Sequence, residues 1–598
     1  GSEMCIRDSM YATELTHAEA DVNARWQSTC HLEGLDPNCL DPANCTTGDL
    51  STCAQVRLDR DQAVEALAHA RCRVRFRLLH LRRLALLRAQ SPQDAAALTG
   101  GAATGYWDAL RVFPPSLRPA IADSLAVEGH TVHPLAKLRR GFTADESAAY
   151  GPENGLPLEM RLVAVNADLL QTSTTGSLER EMSTHYPHHV RMARAELREK
   201  HPDLARRAQI IPVHPWQWQH IIATEFAELI QAGDIALIQS CTIAAYPTIS
   251  VRTVLPVAPS ATGQRPFIKT AMDVILTSTR RSMSQDSALG TPDVAKLVED
   301  LAFRLDRENA CEQRVRVIRE AAGVAYKGEE AVTRARGLST LWREDVGPRI
   351  ESGETALSAC VLRGQPPGEV APLTALIRGH ATLRGGRGAI GFIRDYARDL
   401  LSMTMPLMWT YGVALESHLQ NTMVRVAWSD RAGMNTPVEY RGLVLRDFSG
   451  LRMYRPRLEA AGLAVPARPG AVTATDNMRE FLDKGYYANV FANLSGMIDA
   501  VVEADLAVSD PGSTDHAFTY SDATNPAATD PAAAKAQLWT AVREVLEEVI
   551  TAFGRANVPD ADLEHLLAPA LHQKAFASMA LNPKGGDRYI DVANPLVR

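Results

Sequence analysis

The middle third of this chain alternates short apolar runs with longer helix-periodic segments, and that alternation constrains its fold more than any other feature. Residues 162–170, 208–213, 236–243 and 267–276 are apolar runs of strand length, separated by helical stretches at 188–200 and 221–231. A short apolar run bounded by turn residues is satisfied inside a sheet, whereas a 3.6-residue repeat needs one covered face. The pattern predicts a mixed α+β fold. At 598 residues the chain exceeds a single core, because domains of about 100–200 residues are the norm. Three regions are expected: a mostly helical one over 1–150, a mixed one over 151–395 and a third over 396–598. Within them, 291–320 reads as a charged helix, 391–411 as a long helix and 438–448 as a strand.

Charge and hydropathy narrow the partners. A formal charge of −7 gives no cationic footprint for a phosphate backbone, so nucleic acid is not expected. The longest apolar stretch, 400–415, is broken by Ser402, Thr404, Pro406, Tyr411 and Gly412. It falls short of the ~18 residues that a membrane span needs, so it reads as core and no membrane partner is expected. The N-terminal residues lack the basic, apolar and small-residue succession of a secretory signal, which predicts a cytoplasmic protein. Cys30, Cys39, Cys45, Cys53 and Cys72 cluster near the N-terminus without the close pairs of a zinc site, and read as scattered thiols.

Four segments concentrate chemistry. In EGHTVHPLAKLRRGF, residues 128–142, His130, His133, Lys137 and two arginines crowd together and suit an anion; a metal on the histidines and simple backbone capping are the other readings. In IIPVHPWQW, residues 210–218, the two tryptophans call for deep burial and point to scaffold around His214. In YPTISVRTVLP and FIKTAMDVILTSTRR, period-two spacing would set Thr248, Ser250 and Arg252 on one face of a strand, with Lys269 on the next. Such a set reads as a phosphate clamp, Arg supplying a planar fork and Lys a point charge, or as a solvated sheet face.

The fourth segment pairs YGVALESHLQN, residues 411–421, with GLVLRDFSG, residues 442–450. Read as a helix, the first sets Glu416 one turn from Gln420, and His418 one turn from Asn421. Asp447 follows an apolar strand. Two carboxylates and an amide oxygen are the donors that Mg²⁺ takes when water and phosphate complete its shell. No GxxxxGK[ST] loop, dinucleotide fingerprint or protein-kinase signature occurs, so any nucleotide is held by other means.

Taken together and in this order, GHTVHPLAK, HPWQW, PTISVRT, the stretch from Lys269 to Arg281, ESHLQN and RDFSG resemble the siderophore synthetases that work independently of nonribosomal peptide synthetases, the family of aerobactin synthetase. The resemblance spans residues 128–581. It implies a three-part cupped hand, with helical thumb, mixed fingers and a palm. It also implies a reaction in which a carboxylic acid attacks the α-phosphorus of MgATP, pyrophosphate leaves, and an amine, hydroxylamine or alcohol captures the acyl adenylate. Citrate is the family's commonest acid, and relatives are often dimers, which leaves a homodimer open.

By the same resemblance Ser250, Arg252, Thr253, Lys269, Arg281, His418, Gln420, Asn421 and Asp447 contact ATP, with Arg252, Lys269 and His418 closest to the chemistry. Glu416 and Asp447 hold Mg²⁺. His130, His133, Lys137, Thr277, Arg281 and Lys574 face the acid. One departure stands out, because QKAFASMAL carries Ala580 where the family usually has arginine, which puts the acid pocket in doubt. The residues agree with the implied division of labour: bringing a carboxylate to a polyanion requires Arg, Lys and Mg²⁺ to cancel repulsion first. The rival readings are a kinase-like phosphotransferase that uses the same groups on a γ-phosphate, and a nucleotide-binding scaffold that has lost catalysis.

Overall fold

The computed structural model describes residues 106–111, 113–124, 139–276, 279–309, 314–329, 332–363, 372–384, 388–428, 438–466, 473–506, 530–574 and 589–597. They all fall within one unit, Ser91–Gln365 with Val370–Arg598. The N-terminal cysteines, His130, His133, Lys137, Thr277 and Ala580 lie outside the described residues.

The apolar runs of the middle third become strands: β1 (Leu158–Asn166), β2 (Leu170–Thr172), β3 (Ala208–Val213), β4 (Ile235–Leu237), β5 (Ile243–Pro247), β6 (Thr253–Pro256) and β7 (Phe267–Thr270). After β8 (Val315–Val317), which joins a different sheet, β9 (Glu320–Tyr326) and β10 (Ser339–Arg343) complete a nine-stranded sheet in the order β2-β9-β10-β7-β6-β5-β1-β3, with β4 also paired to β1. Its pairings are antiparallel. Strands β3, β7 and β10 are buried at every position, which is why they appear as unbroken apolar runs and not as an alternation. Met160, Leu162, Ile211, Phe226 and Trp342 anchor the core on this sheet, each such side chain contributing roughly 1.5–3 kcal/mol by leaving water.

A second sheet is built from β11 (Glu354–Ser358), β12 (Thr422–Trp428), β13 (Val438–Leu445) and β8, in the order β8-β13-β12-β11. Here β8 runs parallel to β13 while the other pairs are antiparallel. Helix α1 (Pro187–Lys200) forms where its periodicity predicts, whereas 221–231 is split into shorter helical pieces. The helix expected at 291–320 is instead α2 (Gln285–Asn309), which packs on β9. It starts early because the Ser284 hydroxyl accepts from the Ser287 amide at 3.1 Å, an N-cap, and by residue 315 the chain has entered β8. A short α3 (Val332–Gly337) leads into β10.

The long apolar stretch is α4 (Gly388–Tyr411), buried along most of its length. It packs against α6 (Pro531–Phe553), and α5 (Met478–Tyr486) lies between the two in sequence. Among the described residues no helix is long and apolar enough to cross a membrane. Gly412 ends α4 with φ +67°, a left-handed C-terminal position that suits glycine, and its amide bonds Met408 O at 3.0 Å. The chain therefore does not continue as helix into ESHLQN. Residues 415–421 form an irregular crossing before β12, with the amides of Asn421 and Thr422 turning back onto His418 O at 2.9 and 3.0 Å. The helical spacing expected for Glu416, His418, Gln420 and Asn421 is corrected accordingly.

Candidate active site

The two sheets meet at Asp447. It lies two residues past β13, with φ +66° and ψ +77°, a conformation that Asp tolerates better than most residues but that still costs roughly 1–3 kcal/mol. Its carboxylate accepts from Lys269 Nζ at 2.8 and 3.0 Å and from Ser449 Oγ at 2.8 Å. Arg343 Nη2 stands 3.1 Å away. Lys269 comes from the middle of the nine-stranded sheet, paired with Thr253 on one side and Leu341 on the other. Arg343 ends β10, directly opposite Glu320 on β9, and donates to that carboxylate at 2.7 Å. The side chains of Lys269, Arg343 and Glu320 are 4%, 3% and 0% exposed, so the charges compensate one another away from water.

These contacts set the protonation states. Burial pushes the Asp447 carboxyl up, but Lys269, Arg343 and the donated hydrogen bonds outweigh it and hold Asp447 well below the usual carboxylate range. Desolvation lowers Lys269; the charge of Asp447 opposes that loss, while Arg252 and Arg343 add to it.

Arg252 is delivered by a tight turn, and not by a strand. The alternation of Thr248, Ser250 and Arg252 reads as β structure, yet β5 stops at Pro247 and β6 begins at Thr253. Between them the Thr248 hydroxyl donates to Thr253 O at 2.8 Å, and the Ser250 hydroxyl accepts from the Thr253 amide at 3.2 Å. Val251 takes φ +64°, an outlier for a β-branched residue. It is held there because its side chain is 3% exposed and packs with Trp216, Met272, Val274 and Leu276. Ser250 and Thr253 thus build the turn, and Arg252 leaves it with Nη1 donating to Arg281 O at 2.7 Å. Burial, with the repulsion of Arg281, Arg343 and Arg336 against the attraction of Asp447, pulls the Arg252 guanidinium down to about 10. It remains a cation at neutral pH.

Arg281 feels both Glu416 and Asp447, which counteract its desolvation. Glu416 makes an ion pair with the buried Lys484, and a Cβ on Gly450 would collide with the Glu416 carboxylate, so that carboxylate lies against the RDFSG turn. Asn421 Nδ2 donates to Glu416 O at 3.0 Å. Gln420 contributes its carbonyl, which accepts from Arg446 at 2.9 and 3.2 Å, and so stitches ESHLQN to RDFSG. His418 is half-buried in the same crossing. Lys574 ends the strand Ala570–Lys574.

His214 behaves as scaffold. Its Nδ1 accepts from the Trp216 amide at 3.1 Å, and complete burial pulls it down to about 3, so the ring is neutral. Trp216 is buried and Trp218 only half-buried. Gln217 clamps two loops near the site, donating to Gly337 O at 2.7 Å and accepting from the Asp273 amide at 2.9 Å.

The donor set fits Mg²⁺ brought by a polyanion. Glu416 and Asp447 both bear on Arg281, and among the described residues no group of three His, Cys, Asp or Glu forms a self-sufficient metal cage. Two carboxylates leave most of an octahedral shell to phosphate and water. Sequence reading missed Arg343, Glu320, Lys484, Arg446 and Arg336. Arg446 lies inside a motif that it noticed, while the others depend on strand register or on contacts between distant segments.

Comparison with known proteins bears on the fold and on the family that the chain resembles. The model of the IucA / IucC family matches residues 119–364, and that of the ferric iron reductase FhuF-like transporter family matches residues 391–508. The chain is 23% identical to the D-ornithine–citrate ligase of Staphylococcus aureus over 80% of this chain and 70% of that enzyme. It spans 54% and 60% of two further curated relatives. Among solved structures, the petrobactin biosynthesis protein AsbB from Bacillus anthracis superposes with a TM-score of 0.62 at 20% identity, over 80% of this chain and 75% of that one. ATP-bound aerobactin synthetase IucA from Klebsiella pneumoniae gives 0.60 at 19% identity, over 92% and 87%. With the cationic junction of two sheets, the ordered motifs and these matches in hand, the chain is similar to the siderophore synthetases independent of nonribosomal peptide synthetases, with the IucA / IucC match over residues 119–364 and the fold of the solved aerobactin synthetases.

Proposed function

We propose that this protein joins a small polycarboxylic acid to an amine, hydroxylamine or alcohol by way of an acyl adenylate, releasing AMP and pyrophosphate. The observation that carries the reading is the contact of Lys269 and Arg343 with Asp447, with Arg252 bonded to the Arg281 carbonyl and both arginines feeling the charge of Asp447. Its curated relatives include a D-ornithine–citrate ligase and a staphyloferrin A synthase. Two anions, a carboxylate and a triphosphate, repel each other, and a partly desolvated set of fixed cations lowers the barrier by offsetting charge in place. Lys269 and Arg252 are assigned to the phosphates, with Ser250 and Thr253 holding the turn. Glu416 and Asp447 are the residues that would hold Mg²⁺, which supplies Lewis-acid polarisation of phosphoryl oxygen when bound. His418 and Asn421 line the same crossing and order the nucleotide from the second sheet. His130, His133, Lys137, Thr277 and Lys574, with Arg281, are assigned to the acid. A ligase that consumes ATP in this way would work in the cytoplasm, where ATP is supplied.

A screen of polycarboxylic acids with ATP, Mg²⁺ and hydroxylamine as surrogate nucleophile tests this reading by its products. AMP and pyrophosphate with one or a few acids, citrate first, are expected. ADP in their place would make the protein a phosphotransferase, and no turnover with any acid would leave a binding scaffold.

A further inference from the structure

Each of the two carboxylates assigned to Mg²⁺ already carries a buried lysine. Lys269 sits on Asp447, and Lys484, from α5 and 4% exposed, sits on Glu416. No sequence motif assigns Lys484. The absence of a side chain at Gly450 makes room for the Glu416 carboxylate, and Lys484 occupies its Oε1, so a metal reaching that carboxylate competes with the ammonium.

That competition has unequal outcomes for free and nucleotide-bound metal. A hydrated Mg²⁺ alone would displace two ammonium groups and gain two carboxylates in return, with no third acidic or imidazole donor grouped there among the described residues. Mg²⁺ sheds water reluctantly and relies on phosphate oxygens where carboxylates are few. A metal arriving on a triphosphate brings most of its own ligands, and it also brings negative charge to take up the displaced ammonium groups. We propose that Lys484 is a positioning residue that keeps Glu416 ion-paired until the nucleotide arrives, so that the metal loads with the triphosphate and not before it. This rests on the assignment of Glu416 and Asp447 above.

The test needs no turnover. Mn²⁺ is titrated into the nucleotide-free protein, and free ion is followed by electron paramagnetic resonance, with and without a non-hydrolysable ATP analogue. Wild type is expected to take up Mn²⁺ tightly only with the analogue. Lys484→Met and Lys484→Gln are expected to bind Mn²⁺ without nucleotide at least about tenfold more tightly than wild type, the order that follows from removing a unit charge a few ångströms from a partly desolvated cation. Lys484→Arg, which keeps the charge, is expected to restore wild-type behaviour. Equal nucleotide-free affinity in wild type and whichever neutral variant folds overturns the proposal, as does tight binding by wild type alone. Failure of wild type to take up Mn²⁺ even with the analogue would instead remove the metal assignment on which the proposal stands.

Discussion

Lys269 and Asp447 are joined at 2.8 Å although 178 residues separate them, and that contact ties the nine-stranded sheet to the four-stranded one. Breaking such a pair from one side leaves a charge without its partner. Lys269→Met is expected to lose on the order of 3 kcal/mol of stability. The double variant Lys269→Met/Asp447→Asn should recover part of that loss, as read by urea unfolding. Additive effects would show that the pair is not energetically coupled.

The depressed Asp447 carboxyl has a pH signature. A folded value below the unfolded one, about 3.9, means that its contribution is complete above that value and is lost as pH falls from there through the folded value. Wild type should exceed Asp447→Asn by a constant margin between pH 5 and 8, and the margin should shrink below about pH 4. Unfolding midpoints across that range check it, and a margin that grows on acidification would contradict it.

Arg252 is aimed by a strained turn, so charge and geometry both matter. Arg252→Ala should reduce turnover by about 100- to 1,000-fold, the size expected for one preorganised donor to developing charge, with little change in melting temperature. A fall in stability matching the fall in rate would point to a structural role instead.

Gly450 faces the Glu416 carboxylate with no room for a methyl group. Gly450→Ala should displace that carboxylate and weaken metal-dependent nucleotide binding by at least about tenfold, the worth of one charge-assisted contact. Calorimetry with and without Mg²⁺ would show the loss only in the presence of the metal.

Much of this was legible in the sequence where periodicity and burial coincide. The runs at 208–213 and 267–270 are strands because both faces are covered, and 388–411 is helical until Gly412 turns left-handed. Ser250 and Arg252 misled because hydroxyl-to-backbone bonds and a buried Val251 close a turn that an alternating pattern resembles. ESHLQN misled because helical spacing carries no record of where a helix stops. Arg343 and Glu320 were invisible because their meeting depends on the register of β9 against β10. Lys484 was invisible because Glu416 lies 68 residues away.

A structure of the protein with Mg²⁺ and α,β-methylene ATP is the most direct measurement of the central claim. The account predicts phosphate oxygens within about 3 Å of Arg252 and Lys269, with the metal between Glu416 and Asp447. A nucleotide bound elsewhere, with the Lys269–Asp447 and Lys484–Glu416 pairs undisturbed, would contradict it.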